Sequence, residues 1–244
     1  MSRVIILMRH AAYQQPDGVP SAHLPYPLTN AGLEQARLGA LEVAQLAREH
    51  KWSLDPIIDC STLLRAWQTA EIVADALREQ SNDQVLVDSF DALAERSLGA
   101  VANLTVDEIG RIVEGDPRFA PLPEGWKRDS GFRLPFPGCE SLIEAGQRVA
   151  KHLGSRLAEM RSVPDGVTAK IFVGHGGSIR HAALEMGALS ESDVASLSMH
   201  YARPVCLIAA SNDAWRHIAG DWKVRQPQAP QPSCTGATSQ YETR

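Results

Sequence analysis

Two histidines stand at the C-terminal tips of short hydrophobic runs. Val4-Ile5-Ile6-Leu7-Met8 ends in Arg9-His10, and Ile171-Phe172-Val173 ends in Gly174-His175-Gly176-Gly177. Open α/β sheets gather their reactive groups at the carboxyl ends of strands. A neutral imidazole is a nucleophile near pH 7 without prior deprotonation, provided that its other ring nitrogen donates to a fixed acceptor. The sequence does not identify that acceptor. Arg9 beside the first histidine, and the glycines that open a helix after the second, both suit an anion. A phosphoryl group is the anion this pairing suggests. Its transfer needs three equatorial oxygens neutralised, an in-line nucleophile and a proton for the leaving oxygen.

Without a metal, that neutralisation falls to arginine, histidine and backbone N–H groups. Arg9, His10, Arg65 and His175 are the candidates. Arg65 lies in the first turn of the helix expected from Ser61-Thr62-Leu63-Leu64-Arg65-Ala66-Trp67-Gln68-Thr69-Ala70. An exposed helix arginine is the ordinary alternative. Its place just after a strand end speaks for the site, and a guanidinium can hold two phosphate oxygens at once. A dinucleotide reading of the glycine segment fails, because Ile179 stands where G-x-G-x-x-G needs its third glycine. A serine-hydrolase reading lacks the G-x-S-x-G elbow.

The elements that must position these groups alternate between strand and helix. A helix is expected from Thr29 or Asn30 to about His50, with Leu33, Ala36, Leu41, Ala44 and Leu46 at approximate helical spacing. Strands are expected at 56–60 and 84–87, and helices at about 106–114, 140–161 and 178–186. Two late strands, about 204–210 and 215–219, suit an antiparallel hairpin. The alternation implies an α/β fold with a mainly parallel central sheet covered by helices on both faces. One domain over residues 1–222 is expected, with proline-rich loop excursions at about 11–28 and 115–138, and a disordered tail over 223–244.

Bulk properties bound the partners. The net charge is −5 and the basic residues form no long runs, which argues against nucleic acid or an anionic membrane surface. Cys60, Cys139, Cys206 and Cys234 are scattered, as expected of reduced thiols rather than a zinc site. No run approaches the length of a membrane span or a signal-peptide core, so a cytoplasmic protein is expected.

Several segments occur together in a fixed order. They are Arg9-His10-Ala11, Leu28-Thr29-Asn30-Ala31-Gly32, the Ser61–Ala70 segment, Leu93-Ala94-Glu95-Arg96-Ser97-Leu98-Gly99, Gly138-Cys139-Glu140-Ser141 and Gly174-His175-Gly176-Gly177. In these motifs the chain resembles the histidine phosphatase superfamily, in its phosphoglycerate-mutase-like branch, over roughly residues 3–220. The resemblance implies a phosphoglycerate-mutase-like fold and hydrolysis of a small phosphomonoester without metal or cofactor. It makes His10 the residue that takes the phosphoryl group as a phosphohistidine. Arg9, Arg65 and His175 would form the phosphate pocket, helped by the backbone N–H of Gly176. Glu95 would protonate the leaving oxygen and then activate water.

The chain departs from the pattern at two places. Ala11 stands for the usual glycine, and would be strained if that position needs positive φ. Thr62 stands for the usual proline at a helix start, where it should be tolerated. Family mutases carry a tyrosine in the Glu95–Gly99 segment and an asparagine after the second His-Gly. Here those places hold Ser97-Leu98 and Gly177, which favours hydrolysis. Trp126-Lys127-Arg128 resembles the mutases' basic substrate segment, or is a surface loop with one anchoring aromatic. A non-catalytic phosphate-binding module is the third reading, with Ala11 in its favour and the presence of both His10 and Glu95 against it. Leu24, Tyr26, Trp126, Phe132, Leu134 and Phe136 would either line an apolar cap for an ester with an uncharged body or pack the loops down.

Overall fold

The computed structural model describes residues 3–20, 23–81, 84–160, 166–210 and 214–226. The N-terminal strand β1 (Arg3–Arg9) is followed by α1 (Asn30–His50), β2 (Trp52–Leu54), β3 (Ile57–Ser61), α2 (Leu64–Ser81) and β4 (Leu86–Phe90). Then come α3 (Val106–Gly115), α4 (Leu142–Glu159), β5 (Val167–Gly174), α5 (Gly176–Glu185) and α6 (Glu191–Ser196). The chain continues through β6 (Leu197–Met199), β7 (Pro204–Ala209), β8 (Trp215–Gly220) and β9 (Trp222–Val224).

The main sheet has the order β4-β3-β5-β1-β7-β8, with β2 pairing β5 off this path. β1, β2, β3, β4 and β5 pair in parallel, while β7 and β8 join antiparallel at one side. A parallel sheet must bury both faces, and the alternation along β1 does so. Val4, Ile6 and Met8 face a core closed by α1 and α2; Ile5 and Leu7 face one closed by α4 and α5. The parallel arrangement puts the C-terminal tips of β1, β3 and β5 on one edge, and Arg9 pairs with Gly174 in register.

Helix α1 starts as expected, since the Thr29 hydroxyl accepts the Gly32 N–H at 3.1 Å. Its buried face includes the expected Ala36 and Ala44, and Leu33 and Leu46 pack against the core from its edges. Leu41 is exposed, and the contact face is Ala36, Gly39, Ala40, Val43, Ala44 and Ala47. Small residues let the helix close on its neighbours: a Cβ on Gly39 would lie 2.0 Å from the carbonyl oxygen of Ala202.

Three other boundaries move. The strand expected at 84–87 is Leu86–Phe90, an edge strand that begins after Pro56 O accepts the Leu86 N–H. Helix α5 begins at Gly176 rather than Ser178, with His175 as its N-cap residue. The tail expected from 223 is corrected at its start, because Lys223 and Val224 belong to β9, which pairs with β6. Residues 227–244, with Cys234, lie outside the described residues, as does the expected hairpin loop at 211–213.

A buried ion network ties α4 to the sheet. The Asp59 carboxylate, fully buried on β3, accepts from Arg156 Nε at 2.7 Å and lies 2.9 Å from Lys170 Nζ and 3.2 Å from His152 Nε2. These partners outweigh its burial and hold its pKa below the usual carboxylate value. Among the described residues no helix is long and apolar enough to cross a membrane.

Candidate active site

His10 leaves the tip of β1 with its backbone N–H on Gly174 O at 2.9 Å. Its ring is buried, and Nδ1 lies 2.8 Å from the carbonyl oxygen of Ala11. A carbonyl only accepts, so Nδ1 carries the proton and Nε2 the lone pair. Arg65 agrees with this tautomer, since its Nε donates to His10 Nε2 at 3.2 Å. The acceptor missing from the sequence reading is therefore the neighbouring peptide itself.

Ala11 fits its place without strain. Among the described residues the non-glycine positive-φ positions are Lys51, Asn103 and Ala202, so Ala11 needs no glycine-only angle. Its N–H donates to Thr69 Oγ1 at 3.0 Å, and that hydroxyl donates to Arg65 O at 2.7 Å. Gln68 Oε1 accepts the Leu28 N–H at 2.8 Å. The Gln68-Thr69 pair on α2 thus pins the loop that follows His10. Thr62 instead bonds Asp91 through its hydroxyl at 2.6 Å, before α2 begins.

Arg65 has no exposed surface and spends its donors on the centre of the site. Besides His10, it reaches Leu24 O through Nη1 at 2.9 Å and His175 Nδ1 through Nη2 at 3.1 Å. Because a guanidinium only donates, His175 is protonated on Nε2, which donates to Ser61 Oγ at 2.9 Å. Both ring nitrogens of His175 are engaged, so in this state it orients Arg65 rather than offering an N–H to an anion. Burial first, and then the charges of Arg9 and Arg65, hold His10 well below the usual histidine pKa. Burial, Arg65, His10 and Arg9 do the same for His175. Both rings are neutral.

Arg65 and Arg9 each lie over a tyrosine ring that the sequence patterns did not single out. Arg65 Cζ is 4.7 Å from the Tyr13 ring centre, and Arg9 Cζ is 4.0 Å from that of Tyr201. Arg9 Nη1 also reaches Met199 O at 3.4 Å, while its buried Nε has no partner among the described residues. Gly176 lets Arg9 approach, since a Cβ there would lie 3.2 Å from Arg9 Cδ.

Glu95 sits across the first turn of α5. Its carboxylate accepts from the backbone N–H groups of Gly177 (3.1 Å), Ser178 (3.0 Å) and Arg96 (3.0 Å). A helix leaves its first N–H groups without internal partners, so a carboxylate is well placed there. The loop that carries Glu95 is held from behind. Arg148 pairs with Glu140 at 2.7 and 2.8 Å and donates to Ala92 O and Ala94 O, and Glu140 accepts the Ser97 N–H.

Above these groups lies a cavity of about 260 Å³. Arg9, Arg96, Lys127, Arg180 and Arg225 line it, with Glu95 as its acid. The expected apolar cap is not what faces it. Trp126 and Leu134 are buried in a small core of their own with Leu98, Val101, Ile109 and Cys139, and Leu24 is buried with Ala11 and Tyr13. The excursions pack themselves down, so the argument for an ester with an uncharged body falls. In the Trp126-Lys127-Arg128 segment, Trp126 anchors the loop and Lys127 lines the cavity. His10, Arg65, His175, Arg9, Glu95 and Gly176 are brought together at one sheet edge. Arg180, Tyr13, Tyr201 and Arg225 join them unforeseen.

Known proteins share this arrangement of elements. The structure of a mycobacterial glucosyl-3-phosphoglycerate phosphatase superposes with a TM-score of 0.66 over 93% of this chain and 100% of that one, at 21% identity. The alpha-ribazole phosphatase from Shigella flexneri gives 0.65 over 89% and 95%, at 19% identity. A 2,3-bisphosphoglycerate-dependent phosphoglycerate mutase of Parvibaculum lavamentivorans is 26% identical over 178 residues, which cover 73% of this chain and 76% of the mutase. The model of the histidine phosphatase superfamily (branch 1) matches residues 5–218, and the chain belongs to that superfamily.

Proposed function

We propose that the protein is a cytoplasmic phosphomonoester hydrolase that works through a phosphohistidine on His10. The observation that carries this reading is the fixed tautomer of His10, with Nδ1 on the Ala11 carbonyl and the Nε2 lone pair beside Arg65. In the first step Nε2 attacks phosphorus and the ester P–O bond breaks. Glu95, in its acid form, gives its proton to the leaving oxygen. Arg9 and Arg65 take up the charge on the equatorial oxygens, with the Gly176 N–H at the start of α5. In the second step the Glu95 carboxylate takes a proton from water, the water oxygen bonds to phosphorus, and the P–N bond returns its electron pair to His10. Phosphate release from a panel of monoesters in EDTA, with His10→Ala alongside, tests the scheme. Turnover that disappears in the variant is expected; turnover that survives overturns it.

Transfer to a bound hydroxy acid is the second reading, favoured by Lys127 at the cavity wall. It predicts isomerisation of 3-phosphoglycerate in excess of phosphate release. Gly177 argues against it, because the mutases that the chain resembles carry an asparagine at that place.

A further inference from the structure

One phosphoryl group at His10 is already met by Arg9, Arg65 and the first turn of α5. The cavity above holds more positive charge than that group requires, and two of its cations, Arg180 and Arg225, are brought together for no reason internal to the fold. Arg180 projects from α5, is 5% exposed, and has a buried Nε without a partner among the described residues. Burial, and next the charge of Arg225, push its pKa down to about 10. Partial desolvation at the rim, and then the charge of Arg128, lower Arg225 as well. Arg180 is buried and Arg225 stands at the rim of the same cavity, and like charges held side by side repel one another. An unpaired buried guanidinium is among the most expensive groups a fold can carry. A bound anion removes both costs.

Arg225 reaches the cavity by a specific route. It follows β9, which lies antiparallel to β6 with Met199 opposite Trp222, and its backbone N–H donates to Ser196 O at 2.8 Å. β9 and Arg225 lie beyond residues 5–218, the span that the family model matches. The side chain is exposed at the rim, so nothing in the core depends on it.

We propose that Arg225 and Arg180 form a second anion subsite, which recognises a carboxylate or a second phosphate on the leaving group of the ester. The subsite rests on the hydrolase reading above and narrows its substrates to esters with two anionic ends. The phosphoryl end faces His10, and the other end enters between Arg180 and the rim.

The test compares 3-phosphoglycerate with glycerol 3-phosphate, which differ by a carboxylate in place of a hydroxymethyl group. 2,3-Bisphosphoglycerate supplies the second phosphate. Affinities are measured by calorimetry in His10→Ala, which binds without turnover, and in the same chain carrying Arg225→Gln. Charge-assisted hydrogen bonds imply a preference of about tenfold or more for a doubly anionic ester. Arg225→Gln should erase most of that preference, and Arg225→Glu should reverse it. The ester whose preference falls more, the carboxylate or the bisphosphate, identifies the second anion. Equal binding of all three esters, or equal losses for all three, overturns the subsite. Phosphate release by the unsubstituted protein is read separately: hydrolysis without an anion preference keeps the hydrolase and loses the subsite. Preferential binding without hydrolysis keeps the subsite and loses the hydrolase.

Discussion

Glu95 and Gly177 face each other across a gap that admits no methyl group. A Cβ on Gly177 would lie 2.7 Å from Glu95 Oε1, while the Gly177 N–H donates to Oε2 at 3.1 Å. The general acid of the proposed scheme is therefore seated by the absence of a side chain.

Gly177→Ala should displace that carboxylate without harming the fold, since alanine favours a helix over glycine by up to about 1 kcal/mol. Turnover of alkyl phosphates is expected to fall about a hundredfold, because a general acid contributes on that order. Turnover of p-nitrophenyl phosphate should fall much less, as its leaving group needs little protonation. Melting curves and the two rates side by side check this. Equal loss on both esters would remove Glu95 from the acid role.

The ring under Arg9 gives a second expectation. Tyr201→Leu removes a cation–π contact of about 0.5 to 2 kcal/mol and frees the guanidinium to wander. A roughly three- to thirtyfold drop in kcat/KM should follow, mainly through KM. Tyr201→Phe should restore most of it, because the ring and not the hydroxyl supports Arg9. A phenylalanine variant as impaired as the leucine one would assign the effect to the hydroxyl.

Acid should destabilise the protein through its two site histidines. Burial and the neighbouring arginines depress the pKa values of His10 and His175, so the native state leaves both rings unprotonated. In the unfolded chain they take up protons below about pH 6.5. The unfolded state then binds more protons, and stability falls as the pH drops through that value, with no loss above it. Each ring contributes a slope of up to about 1.4 kcal/mol per pH unit. Denaturant unfolding of the natural chain and of His10→Asn between pH 5.5 and 7.5 should show the variant losing one such increment. Parallel curves would mean that His10 is charged in the native protein.

The site was legible where its residues sit at the ends of strongly patterned elements. The hydrophobic runs of β1 and β5 mark buried parallel strands, and their tips place His10 and His175. Glu95 has no such local signal and was legible only through the ordered motifs around it. Tyr201 and Arg225 were not legible at all. Tyr201 meets Arg9 through a single bridge beyond β6, and Arg225 arrives through the β6–β9 pair, both set by tertiary contacts between short segments. The loop aromatics misled for a physical reason. Trp126 and its neighbours bury themselves in a small core of their own, and the charged residues between them are left to face the cavity. In α1 only Leu41 misled, because the helix closes on its neighbours through alanine and glycine while that leucine faces outward.

That close approach has a reach beyond packing. Gly39 on α1 touches the backbone at Ala202, a residue held at φ +52 whose N–H donates to Arg9 O at 2.9 Å and which follows Tyr201 directly. The buried face of one helix thus sets the height of the platform on which Arg9 rests. In a survey of inactivating variants, Gly39 would score beside the catalytic positions although it meets neither substrate nor nucleophile. A map of essential residues drawn from activity alone would enlarge this site by a helix that takes no part in the chemistry.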